Sequence, residues 1–311
     1  MEKRQQELQF LGFSGVFKES FKIIFSKPRL FTQITLTLIL PLSILSQLHQ
    51  YFIYSISSKG FLHWILWEFS YYLVILIPSL LSTSAIVCAV TFVYTAKDVT
   101  FKKIRGMLPK MWKRVMITSA LSFAIEFCYK SFIARVKNEI VRPLFPDLHQ
   151  AVNATDIDKT KFFIGTIIVL SYVAGSAYIR IIQNLATVVS IIEDLSGKKA
   201  RMKSKNLIKG KIGVAVFLWL VLGICSDIID DRIYNRFLGP DGGFNWRNGI
   251  GIGIPSLILL QSLVSLLDFV VYTVIYFSCK SHEVARRVLT TQSHQNNFKS
   301  LWWSVLDPLM E

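Results

Sequence analysis

The chain contains six separate apolar stretches, each about as long as a helix that crosses a lipid bilayer. In chain order they lie near Leu30–Tyr54, Ser70–Ala96, Val115–Arg135, Phe162–Ile192, Ile212–Asp227 and Ile250–Cys279. A bilayer core about 30 Å thick needs about 20 apolar residues of helix to span it. The sequence therefore predicts an all-α polytopic membrane protein with six transmembrane helices.

The domain organisation follows from these stretches. We interpret residues 1–29 as a cytosolic amphipathic segment, residues 30–279 as the transmembrane domain and residues 280–311 as a cytosolic tail. The net charge is +15, and the mean hydropathy is nevertheless +0.45. A soluble nucleic-acid binder would be basic without being this apolar, so the composition excludes that class.

The basic residues are unevenly distributed between the connections. Residues 1–29, 97–114, 193–211 and 280–311 hold 24 of the 35 Lys and Arg residues against nine acidic residues. The positive-inside rule therefore predicts that both termini face the cytosol. The Asn-x-Thr sequon at Asn153 falls on the opposite side and is a candidate glycosylation site. We expect the endoplasmic reticulum or the plasma membrane as the location.

The basic segments indicate which partners to expect. Anionic lipids attract cytosolic Lys and Arg by about 1 kcal/mol per residue. We therefore expect membrane lipids as partners, above all the anionic cytosolic leaflet, together with membrane or cytosolic proteins and no nucleic acid.

The N-terminal segment has an apolar face. Apolar residues recur there at helical spacing, at Phe17, Phe21, Ile24 and Phe25. Lys18 and Lys22 lie together on another face, so the pattern predicts a helix that lies in the membrane interface. The alternative is a plain cytosolic extension of the first spanning helix.

The sequence also shows internal similarity. Residues 98–103 resemble residues 194–199 at an offset of 96, and Ile77–Leu80 is repeated as Ile254–Leu257 at an offset of 177. The matches predict three tandem helical hairpins, each preceded by a basic interfacial helix.

One of these segments carries a family resemblance. It reads Glu193-Asp194-Leu195-Ser196-Gly197, followed by Ala200, Ser204, Leu207, Gly210 and an apolar span. It resembles the signature of a six-span family named for the membrane domain of some glycerophosphodiester phosphodiesterases. The aromatic-rich, lysine-rich composition of the chain is most similar to that of plant multi-pass members. Hydrolysis in those enzymes belongs to a separate soluble domain, so the resemblance implies a fold and no activity. Asp194 and Ser196 are suited to cap a helix that starts near Gly197.

Three charged residues lie deep in the predicted spans. Glu126, Arg180 and Asp268 are each roughly 17–18 Å from the cytosolic ends of their spans, counted at 1.5 Å per residue. Intramembrane charges usually face a partner or a water-filled cavity. We therefore predict a midplane substrate-binding cluster in which Arg180 neutralises Glu126 or Asp268. Its further candidate members are Gln183, Asn184 and Gln261, and Lys130 is an alternative partner for Glu126 one turn away.

Three features leave alternatives open. The cluster can instead be a buried ion pair that only fixes the packing of the helices. Asp227, Asp230 and Asp231, at the end of the fifth span, are a weak candidate for a Mg²⁺ site, with a solvated acidic loop as the alternative. Pro41, Pro78 and Pro255 either interrupt their spans or, at the start of a span, occupy a first turn.

No cofactor is expected. The four cysteines contain no C-x-x-C pair, and the five histidines have no spacing typical of metal ligands. Without a catalytic motif, our first hypothesis is a non-catalytic adaptor or organiser in an endomembrane. The second is a transporter of a small or lipid-like solute, which uses the midplane cluster. The third is a membrane enzyme on an apolar substrate, with Glu126 or Asp268 as acid or base.

Overall fold

The protein is all-helical in the part of the chain that the computed structural model describes, which comprises residues 12–57, 61–95, 100–136, 159–237 and 253–290. The helices are α1 Phe13–Ser26, α2 Pro28–Ile34, α3 Leu40–Ser57, α4 Phe61–Thr95, α5 Phe101–Val136, α6 Lys159–Ile192, α7 Gly197–Ile208, α8 Ile212–Phe237 and α9 Gly253–Thr290. A π-helical turn, Thr35–Ile39, joins α2 to α3, and the three together form the first span.

Six of these segments are long and apolar enough to cross a membrane, which confirms the predicted class. They are Pro28–His49, Ile65–Thr95, Phe101–Val136, Gly165–Ile192, Ile212–Ile233 and Gly253–Glu283. The first span packs on α4, α5 packs on α6, and α8 packs on α9. The predicted three tandem hairpins are therefore present.

The two ends of the bundle differ. We call the end that carries α1 and α7 the basic end, and the opposite end, where the two helices of each hairpin are connected, the far end. In α4 and in α9, half of the most apolar 18-residue stretch is buried inside the bundle, whereas in α5 only 11% of that stretch is buried. The central helices of the bundle are therefore α4 and α9. Their largest fully buried side chains include Ile86, Tyr276 and Phe277.

The amphipathic N-terminal segment is a separate helix. The chain breaks at Lys27, and Pro28 begins α2, so α1 is not an extension of the first span. Val16, Ser20 and Ile23 face the bundle. Phe21 and Phe25 of the predicted apolar face are 45% and 71% exposed, which leaves them available to the membrane interface.

Other boundaries differ from the prediction. The second basic segment is not a separate helix, because α5 runs without a break from Phe101 through Pro109. The fifth span was predicted to end at Asp227, whereas α8 continues for ten more residues to Phe237, and Ile229 and Ile233 extend its buried face there.

The prolines act in three ways. The π-helical turn precedes Pro41, whose ring would clash with the carbonyl of residue 37 in a regular helix, so the wider turn accommodates it. Pro78 lies inside α4, and the Ser82 hydroxyl donates to its carbonyl at 2.8 Å. Pro255 lies in the first turn of α9 and does not interrupt it.

Candidate functional site

Three charged side chains on three helices come together inside the bundle. Arg180 on α6 lies within electrostatic range of Glu126 on α5 and of Asp268 on α9. We call the space between these three residues the central cleft. Among the described residues, the Arg180 guanidinium has no direct ion pair and no hydrogen bond. The predicted residues are thus brought together, but without direct contact to Arg180.

Arg180 is exposed and yet points away from the lipid-facing side of its helix. Tyr178, which is 39% exposed, belongs to the outward-facing stripe of α6. Helical residues are about 100° apart, so side chains two residues apart project to nearly opposite sides. Glu126 is likewise two residues from the exposed Ala124 and Cys128 on α5. The exposed Arg180 side chain therefore lies on the side of α6 opposite Tyr178, toward Glu126 and Asp268.

Glu126 is held by two partners other than Arg180. Lys130, one turn along α5, lies 3.2 Å from the carboxylate. The Tyr72 hydroxyl on α4 accepts from Lys130 Nζ at 2.5 Å and donates to Glu126 at 3.3 Å. The ammonium also lies 5.1 Å from the centre of the Tyr72 ring. Because Lys130 takes the direct contact, Arg180 keeps its donors unoccupied.

Asp268 and Tyr272, one turn apart on α9, form the opposite wall of the central cleft. Both lie within electrostatic range of Arg180, and Asn184 of α6 lies beside Tyr272. The Tyr272 hydroxyl is buried, and the Asn184 side chain is within hydrogen-bonding reach of it. Asp268 and Tyr272 therefore give this wall a carboxylate and a hydroxyl.

Two of the predicted amides have other roles. Gln183 donates to the backbone carbonyl of Ser122 at 2.5 Å and so joins α6 to α5. Gln261 donates to the Ser226 hydroxyl at 3.2 Å and joins α9 to α8. Neither amide belongs to the central cleft, whereas Asn184 does.

A second polar group lies toward the far end. His49 Nε2 is 3.8 Å from the Glu68 carboxylate, with 7% and 9% of the side chains exposed. The imidazole stacks on Tyr71 with ring centres 3.5 Å apart. Gln47 donates to Asp230 of α8. Neither His49 nor Glu68 was predicted as a site residue. Their positions near the connected ends of the two helices of the first hairpin could have indicated that they lie close together.

The acidic residues of the fifth span lie on α8, so the expected solvated loop is wrong. Asp230 is half-buried against Gln47, whereas Asp231 accepts from Asn235 at 2.9 Å. Asp227 is exposed. Across the described ranges, no three His, Cys, Asp or Glu side chains converge as a metal site.

The segment that carries the family resemblance forms an ion cluster at the basic end. Glu193 accepts hydrogen bonds from Tyr276 at 2.7 Å and from Lys280 at 2.8 Å, and pairs with Lys203 of α7. We call these four residues the Glu193 cluster. Burial raises the pKa of Glu193, but hydrogen bonds from Lys203 and Lys280 outweigh burial and hold that pKa below its ordinary value. The sequence analysis did not foresee this cluster.

The same segment docks on α5. Asp194 pairs with Arg114, and the Gly197 N–H donates to the Thr118 hydroxyl at 2.8 Å. The helix starts at Gly197 as predicted. The predicted capping is wrong, because Ser196 makes no cap hydrogen bond and Arg114 occupies the Asp194 carboxylate.

The remaining candidate, the Asn153 sequon, lies outside the described residues.

The central cleft brings together the side chains that are best suited to bind a ligand. An exposed guanidinium presents a planar fork of N–H donors that matches a carboxylate or phosphate. Asp268 and the Tyr272 hydroxyl add an acceptor and a donor beside it.

Comparison with known proteins gives one match. The sequence model of a family described as a domain of unknown function, DUF8558, matches residues 1–60 and 50–286. No curated protein and no solved structure matches the chain.

Proposed function

Because the chain belongs to the DUF8558 family, whose description names no activity, we propose its function from its own geometry. We propose that it is a multi-pass membrane transporter that binds a small or lipid-like solute in the central cleft. The bound solute carries an anionic group, a carboxylate or a phosphate.

The observation that carries this proposal is the exposed Arg180 side chain, which has no direct partner among the described residues. A strut that only fixes helix packing would bury its charges in a direct ion pair, since unpaired interior charges are costly. Arg180 instead has nearby carboxylates but no direct partner among the described residues. This arrangement supports a site that keeps donors available for a ligand.

The surrounding residues restrict the solute. Glu126 is already neutralised by Lys130, so it adds little repulsion against an anion. Asp268 lies within electrostatic range of Arg180 and would accept a hydrogen bond from, or pair with, a cationic group of the same solute. The cleft thus suits an anionic or zwitterionic solute better than a cation.

The test is ligand-induced stabilisation of the purified full-length protein. A panel of carboxylates, organophosphates and short-chain phospholipids is screened by thermal unfolding with wild type, Arg180→Gln and the control Arg105→Gln. Arg105 is an exposed residue near the start of α5, away from the central cleft. A ligand at about 100 times its Kd stabilises by about 2.7 kcal/mol.

We expect a compound to stabilise wild type and Arg105→Gln but not Arg180→Gln, with normal folding of all three proteins. The same compound should then enter proteoliposomes only where Arg180 is intact. Loss of folded protein in Arg180→Gln would instead indicate a structural strut and contradict the proposal.

The other hypotheses stay predictions. An adaptor would yield stoichiometric protein partners in mild detergent, and an enzyme would convert a substrate in a Glu126- or Asp268-dependent way. We also propose, from the charge distribution alone, that both termini are cytosolic and that the membrane is the endoplasmic reticulum or the plasma membrane. The internal repeat and the resemblance to the phosphodiesterase membrane domain are likewise proposals.

A further inference from the structure

A cavity lies at the basic end of the bundle, away from the central cleft. It has a volume of about 650 Å³ and lies between α7, the turn that leads into α8, and the α9 segment near His282. That volume is within the range typical of small-molecule sites, about 300–1,000 Å³. We call it the basic-end pocket.

The charged residues that line the basic-end pocket are mostly lysines. Lys203, Lys209 and Lys211 reach it from different positions, and His282 adds a further nitrogen. The one lining carboxylate, Glu283, lies 3.8 Å from Lys280 and is partly neutralised by it. Converging amines without a matching number of acids favour an anion with several acceptor oxygens.

Two of these amines are anchored. Lys203 pairs with Glu193, and Lys211 donates to the Ser278 hydroxyl at 2.5 Å. Burial lowers the pKa of Lys211, as expected for an ammonium partly removed from water. Lys209 is exposed, with no partner among the described residues. The pocket therefore has fixed cations at its wall and one adaptable cation at its mouth.

The pocket lies beside the start of a membrane-spanning helix. Lys211 is followed directly by Ile212, which is 38% exposed at the start of α8. Further along, Phe217 and Ile224 share one side of α8 and are 44% and 55% exposed. An acyl chain attached to a group in the basic-end pocket would have an apolar surface to follow.

We propose that the basic-end pocket binds a phosphomonoester, carried either by a lipid headgroup or by a soluble organophosphate. A phosphomonoester has a charge near −2 and three acceptor oxygens at neutral pH, which matches three lysines better than a phosphodiester does. This inference is independent of the transport proposal.

The experiment titrates detergent-purified full-length protein in a calorimeter with three probes. Short-chain phosphatidylinositol 4-phosphate carries a monoester on a lipid, short-chain phosphatidylinositol carries only a diester, and glycerol 3-phosphate is a soluble monoester. The variants are Lys209→Glu and Gly210→Glu, and a Cβ at Gly210 would meet no atom within 4 Å. The matched control is Lys205→Glu, an exposed charge reversal on α7 that does not line the pocket.

We expect a monoester probe to bind wild type and Lys205→Glu equally, and to bind each pocket variant about tenfold more weakly. Binding of the lipid alone assigns the source to a headgroup, and equal binding of glycerol 3-phosphate assigns it to a soluble ligand. The proposal is overturned if neither monoester binds, if phosphatidylinositol binds as tightly, or if Lys205→Glu weakens binding as much as Lys209→Glu.

Discussion

The replacement Glu193→Gln should destabilise the protein more than any exposed carboxylate replacement. Glu193 is 6% exposed at its side chain and contacts both Lys203 and Lys280. Replacing the carboxylate with a neutral amide leaves the Lys280 ammonium, which is 8% exposed, without its principal partner. The Gln side chain can still accept a hydrogen bond from Tyr276, but it cannot neutralise a lysine.

The structure sets the size of the effect. Breaking a buried ion pair by removing one partner costs about 3–5 kcal/mol. Lys203 is 33% exposed and can turn to water, and Glu283 lies 3.8 Å from Lys280. Both reduce the loss, so we expect about 3 kcal/mol for Glu193→Gln. Adding Lys280→Met to this variant removes the unpaired charge and should recover part of the loss, with a coupling energy of about 2 kcal/mol.

The assay is reversible unfolding of the purified protein in mixed micelles, followed by tryptophan fluorescence. The control is Asp231→Asn, which removes an exposed carboxylate from α8 and should change stability by less than about 0.5 kcal/mol. Equal effects of Glu193→Gln and Asp231→Asn would refute the reasoning. So would a Glu193→Gln/Lys280→Met double variant whose loss of stability equals the sum of the losses in the two single variants, Glu193→Gln and Lys280→Met.

Further predictions concern the same helices. Because the folded-state pKa of Glu193 is depressed, its contribution to stability is complete above the ordinary Glu pKa of about 4.3 and is lost as pH falls through the lower folded value. Unfolding measured against pH should show this loss in wild type and not in Glu193→Gln. Gly175→Ala should be less stable than Gly223→Ala by about 1–3 kcal/mol, because its Cβ would lie 2.2 Å from the Tyr129 hydroxyl. Gly223→Ala meets no atom within 4 Å and should be neutral or stabilising by up to about 1 kcal/mol in the same assay, since Ala favours a helix more than Gly does. Thr118→Ala should cost about 1–3 kcal/mol in chemical unfolding, since it leaves the buried N–H that begins α7 without an acceptor; a neutral result would show that another group accepts that hydrogen bond.

The six spans could be predicted because length and apolar composition suffice for a membrane helix. Their ends could not, as α8 shows: Asp230 and Asp231 look like a loop in sequence, yet Gln47 and Asn235 satisfy them on a continuing helix. A charge that finds a partner on a neighbouring helix no longer marks the end of a span.

The charged residues of the central cleft could be predicted from the sequence, but the direct contacts between them could not. Glu126, Arg180 and Asp268 could be recognised because intramembrane charges are rare. That Lys130, rather than Arg180, takes the direct contact with Glu126 depends on Tyr72, which belongs to another hairpin and hydrogen-bonds to both Lys130 and Glu126. Likewise, the Glu193 cluster joins residues more than 80 positions apart, which spacing along one chain does not reveal.

The most direct test of the account asks whether the side of α6 that carries Arg180 is hydrated within the membrane. Asn184→Cys, one turn from Arg180, and Tyr178→Cys, on the outward stripe, are made in a cysteine-free background and reconstituted in liposomes. A charged, water-soluble thiol reagent reacts with hydrated thiolates. If the central cleft is hydrated, Asn184→Cys is labelled rapidly and Tyr178→Cys is labelled little. Labelling of Tyr178→Cys alone, or of neither position, would contradict a hydrated central cleft.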